Sequence, residues 1–88
     1  MSEWRHGAHN RRVASASAAP IAVLWRMALN DDRVSCVVYR RERGLLLQVE
    51  SAAAAILTEP FELQPRMLAR SQALRRSLQR RGWREVAE

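Results

Sequence analysis

The chain has 88 residues, 48% of them apolar, which is enough for one packed domain, too short for two, and too apolar for a wholly disordered protein. Its 15 basic residues are all arginine and face nine acids, for a net charge of +6, so the surface favours polyanionic or acidic partners over cationic ones. Cys36 is the only cysteine, which excludes an internal disulfide and a cysteine-rich zinc site and matches a reducing, cytoplasmic setting.

Residues 1–19 are polar, rich in small side chains and without period, and read as a disordered basic tail. Residues 20–88 read as a single α+β domain. From 4 to 20 the chain holds Arg and Ser but no acid, a composition shared with transit and twin-arginine leaders. The apolar stretch there is short and Pro20 interrupts it, so the leader is not the preferred reading.

Residues 20–29 fit two periods. Val23, Trp25, Met27 and Leu29 alternate as a strand does, while Ile21, Leu24, Trp25, Ala28 and Leu29 also match a helical face. The adjoining residues favour the strand. Asn30-Asp31-Asp32-Arg33 is turn chemistry, and Val34–Arg41 is β-branched and aromatic, so a hairpin is the economical solution. Glu42-Arg43-Gly44 forms a second turn. Leu45, Leu47 and Val49 then share one face of a third strand, with Gln48 and Glu50 on the other. Ser51–Ala54 leads to a fourth strand over Ile56–Phe61, placed at a sheet edge because Pro60 lacks a ladder donor.

The C-terminal segment predicts an amphipathic helix. Pro65 suits its first turn, and Met67, Ser71, Leu74 and Leu78 form one stripe at helical spacing. Gly82 is positioned for a left-handed residue just past the helix, with Trp83 returning to meet Leu78, while Arg80 and Arg81 complement the dipole of the last turn. The expected architecture is an antiparallel four-stranded meander followed by one helix, β-β-β-β-α, with the helix stripe on Leu45, Leu47 and Val49.

Ser35-Cys36 within a strand, a glycine-started strand over Gly44–Val49, an edge strand ending in Phe61 and a helix closing on Gly82-Trp83 make a pattern over a little over half the chain. This pattern resembles a loose group of small uncharacterised bacterial proteins. The resemblance implies a fold and no activity. The element order is also that of dimeric single-strand DNA-binding proteins of the transcriptional-coactivator and whirly type. That likeness lies in topology and includes none of their sequence motifs.

Candidate chemistry concentrates in arginine. Residues 63–84 hold seven arginines and no acid, whereas residues 21–62 hold five arginines and six acids. Arg66, Arg70, Arg76 and Arg80 flank the apolar stripe on one side of the helix, the footprint of a phosphate-binding surface or of a solvated face paired with acids elsewhere. Tyr39-Arg40-Arg41-Glu42-Arg43 is a basic hairpin tip with an aromatic that could stack a base, or pair across strands instead. A GC-rich coding sequence would also favour arginine and alanine, although it would not set the net charge.

The remaining inventory argues against catalysis. His6 and His9 precede the domain, and Cys36 alternates with Val34 and Val38 toward the core. Asp31-Asp32 is a paired carboxylate in a turn, and Ser15 and Ser17 have no positioned base. No glycine-rich phosphate loop, HExxH or GxSxG occurs. The expectation is a non-enzyme without metal or cofactor that binds nucleic acid through phosphates with weak sequence preference. The secondary contacts are Arg40, Arg41 and Arg43. The alternative is a protein-interaction module for an acidic partner. A homodimer is one way for so small a domain to bury more surface. No apolar run reaches membrane-spanning length, and the helix stripe is needed for the core, so no membrane partner is expected.

Overall fold

The computed structural model describes residues 19–87, so the tail expected over 1–19 lies, Ala19 apart, outside the described residues. Four strands form the meander: β1 (Pro20–Leu29), β2 (Asp32–Arg40), β3 (Leu45–Glu50) and β4 (Ala55–Phe61). The helix α1 (Gln64–Arg80) comes next, and then a short strand β5 (Arg84–Glu85). The sheet is antiparallel with the order β4-β3-β2-β1-β5, so β4 is an outer strand.

Side chains of paired residues share a face, and the register therefore sorts the sheet into two surfaces. One row runs Trp25–Cys36–Val49–Leu57 across all four long strands, flanked by Met27–Val34 and by Val38–Leu47. This is the face that α1 covers. Met27, Cys36 and Leu47 are fully buried there, and Met67 and Ser71 of the helix stripe close over them, with Leu74 and Leu78 packed against the same cluster. Ser71 is small enough for the indole of Trp25 to reach the helix, where Nε1–H donates to the Ser71 carbonyl at 3.1 Å. The second face carries Val37 and Tyr39 of β2 and Gln48 of β3, all three also buried.

β1 is a strand, as the turn after it predicts. The chain reverses through Asn30 and Asp31, and Asn30 takes the left-handed φ of 55° that asparagine tolerates better than most residues. Pro65 lies in the first turn of α1, after an extended Leu63 with no side-chain cap. At the other end Arg81 is the C-cap and Gly82 has φ 98°. Gly82 N–H donates to Gln79 O at 3.1 Å and Trp83 N–H to Leu78 O at 3.1 Å, the paired bonds of a Schellman motif.

The cap explains the one strand that the sequence did not announce. It turns the chain back along β1, where Arg84 pairs with Ala28 and Glu85 with Met27. Val86 N–H adds a bond to Arg26 O at 3.0 Å. Two residues are too few to carry an alternation, so β5 exists because the cap delivers them to an open edge.

Candidate nucleic-acid interface

The arginine side of α1 follows from helix geometry. At about 100° per residue, Arg66, Arg70, Arg76 and Arg80 fall on one side of the helix, with Ala69, Ala73 and Ser77 between them. The opposite flank carries Gln64, Leu68, Gln72, Arg75 and Gln79. Ion pairs fix which flank faces which strand. Arg70 Nε and Nη2 donate to Glu59 Oε1 and Oε2 of β4, both at 2.9 Å. Arg75 Nη2 donates to Glu85 Oε1 of β5 at 2.8 Å, and Arg75 Nη1 to Gln72 Oε1 at 3.1 Å. The arginine side therefore looks over β4 and outward, and the glutamine side over β5.

These two ion pairs are the ones that engage α1 among the described residues. The hydrogen bonds from Arg70 hold the Glu59 carboxyl below its ordinary value of 4.5, and Arg70 is correspondingly raised. Arg70 is thus partly neutralised, whereas Arg66, Arg76, Arg80 and Arg81 are exposed and make no ion pair among the described residues. Arg75 is absorbed into the fold, and its Nε is buried without a hydrogen-bond partner.

The second basic segment stands beside the first. The β2–β3 turn closes with Arg41 N–H on Gly44 O at 3.0 Å, leaving Arg40, Arg41 and Arg43 exposed. Gly44 has φ 92°, and a Cβ placed on it would lie 2.3 Å from Phe61 O and 3.0 Å from Glu62 Cα. Only glycine lets this turn sit so close to the end of β4, which two residues separate from the start of α1. The arginines of the turn and Arg66 consequently share one end of the molecule, with Glu42 and Glu62 among them. The sequence identifies both segments, and the meander it predicts puts them at one end; how closely they approach is set by the β3–β4 register, which pairs Leu45 with Phe61.

Tyr39 does not serve the tip as a base-stacking aromatic. Its ring is 8% exposed on the second sheet face, paired across strands with Leu46. Its hydroxyl donates to Glu50 Oε1 at 3.0 Å, an oxygen that also accepts from Gln48 Nε2 at 2.6 Å. Thr58 Oγ1 extends the network to Gln48 Oε1 at 3.2 Å. Burial, with the hydrogen bond and charge of Glu50, raises the Tyr39 pKa above 10.0.

The other candidate groups are dispersed. Asp31 and Asp32 border an open hollow of about 580 Å³ with Trp83 and Ile56. Cys36 is buried with its thiol pushed up to about 12 by desolvation. No three His, Cys, Asp or Glu groups converge as a metal site among the described residues. No described helix is long and apolar enough to cross a membrane. No family model, curated protein or solved structure matches this chain.

Proposed function

We propose that this protein binds nucleic acid through its phosphates, with weak sequence preference, using Arg66, Arg76 and Arg80 of α1 together with Arg40, Arg41 and Arg43 of the adjoining turn. The observation that supports this reading is the gathering on one flank of guanidinium groups that make no ion pair among the described residues. Solvation alone does not require such one-sidedness, whereas planar bidentate donors suit phosphate oxygens. Arg70 has a smaller part, because Glu59 already occupies its fork. On this reading the protein acts by binding and not by catalysis.

The test is a salt titration of the natural chain against a charge-matched variant. In that variant Arg66, Arg76, Arg80 and Arg81 become Gln and four arginines are appended to the N terminus. Phosphate binding by the natural arrangement predicts a log–log salt slope of about −0.7 to −0.9 per phosphate neutralised and a weaker variant. Equal affinity of the two chains would reduce the effect to net charge and dispose of the reading. An acidic protein is the rival partner. It is favoured by Leu63 and Leu68, exposed at 57% and 39% near the start of α1, since apolar contacts add nothing to a phosphate grip.

A further inference from the structure

Resting on that phosphate-binding reading, we infer that the partner is duplex DNA, gripped across one groove by two separate basic clusters. The arginines are not spread evenly along the flank. One cluster consists of Arg40, Arg41 and Arg43 on the turn and Arg66 on the first turns of α1, all at one end, where they outnumber Glu42 and Glu62. The other consists of Arg76, Arg80 and Arg81 at the far end of the helix, all exposed. Arg66 and Arg76 are ten residues apart, about 15 Å along the axis at about 1.5 Å per residue.

The space between the clusters is nearly neutral and low. Arg70 is held sideways against β4 by Glu59, and the outward positions are Ala69, Ala73 and Ser77. A major groove of B-form DNA is about 12 Å wide between its phosphate rails. The nearest members of the two clusters lie about 15 Å apart along the axis, and with flexible side chains and small residues between them they can reach rails on opposite strands. A single strand asks for the reverse arrangement, a continuous positive track with aromatic rings for its bases. The described aromatics do not provide such rings. Trp25 and Tyr39 are 4% and 8% exposed, and Phe61 and Trp83 pack against the core. The topological likeness to single-strand binders therefore does not extend to the surface that would do the binding.

The experiment measures fluorescence anisotropy of the full chain with a mixed-sequence DNA duplex of two helical turns, about 20 bp. Each separate strand and an RNA duplex of the same sequence are measured over the same salt series. The duplex DNA is expected to bind at least about tenfold more tightly than either strand, with a slope near −0.9 per phosphate. Replacing either cluster by Gln, as Arg41, Arg43 and Arg66 or as Arg76, Arg80 and Arg81, is expected to flatten the slope by up to about 2.7 and to abolish most of the duplex preference. Circular dichroism melting checks that both variants stay folded. Strands or RNA duplex bound as tightly as DNA duplex would overturn the groove grip and leave the phosphate reading standing. If no probe bound better than it binds the charge-matched variant, the phosphate reading and this inference would fall together.

Discussion

Gly44 and Gly82 offer a controlled comparison, because the two have nearly the same backbone and different neighbours. Their φ angles are 92° and 98°, so an alanine at either position meets the same conformational resistance, about 1–2 kcal/mol. At Gly82 the added methyl would stand 3.7 Å from Leu29 Cδ1, an ordinary contact, so the conformational cost is the whole cost. At Gly44 it would stand 2.3 Å from the carbonyl oxygen of Phe61, and that oxygen belongs to backbone paired with Leu45. Relief requires the β2–β3 turn to lift away from β4, and overpacking of this kind adds about 1–3 kcal/mol. Gly44→Ala should therefore cost about 2–5 kcal/mol in total. The described fold is small, and an 88-residue chain has a stability of roughly 4–13 kcal/mol. The first variant would be severely weakened and the second would remain mostly folded. Urea unfolding followed by tryptophan fluorescence measures both. A Gly44→Ala cost within about 0.5 kcal/mol of the Gly82→Ala cost would refute the close approach of the turn to the end of β4.

Trp25→Phe removes the indole donor to Ser71 O and part of a buried ring, and should cost about 2 kcal/mol by urea unfolding. A cost near zero would show that the bond to the helix is not formed. Cys36, buried with a thiol pushed up to about 12, should resist thiol-specific reagents at pH 8 until the protein unfolds; rapid stoichiometric labelling of the native protein would contradict its place in the core. Glu59→Gln should lower stability by less than about 1 kcal/mol, since the pair with Arg70 is exposed. Because Arg70 lowers the folded-state pKa of Glu59, the pair's contribution is present above the unfolded value and lost as pH falls through the folded one. The wild-type and Glu59→Gln stability curves should thus converge in acid, and a gap that widens there would reverse the sign. The same variant frees Arg70 into the neutral gap and should raise single-strand affinity more than duplex affinity.

Much of the fold is legible in the sequence because the deciding features are local. Val34, Cys36 and Val38 alternate, as do Leu45, Leu47 and Val49, and alternation alone assigns them to one face of the sheet. Pro65, the Met67–Ser71–Leu74–Leu78 stripe and Gly82 specify where α1 begins, which side it buries and how it stops. The periods of residues 20–29 are ambiguous by themselves, and only the neighbouring turn tips them to strand. The features that the sequence leaves undecided depend on register and on how α1 crosses the sheet. Glu59 meets Arg70 and Glu85 meets Arg75 because β4 and β5 flank the helix, which no spacing along the chain reveals. Tyr39, adjacent in sequence to the arginines of the turn, is drawn onto the second face by the strand period and bonded to Glu50. How closely the two basic segments approach is decided by the β3–β4 register, which pairs Leu45 with Phe61 and brings Gly44 onto the Phe61 carbonyl. Side-chain periodicity is a property of one element and can be read from that element alone. Which charges remain unpaired is a property of the distances between elements, and those exist only once the chain has packed.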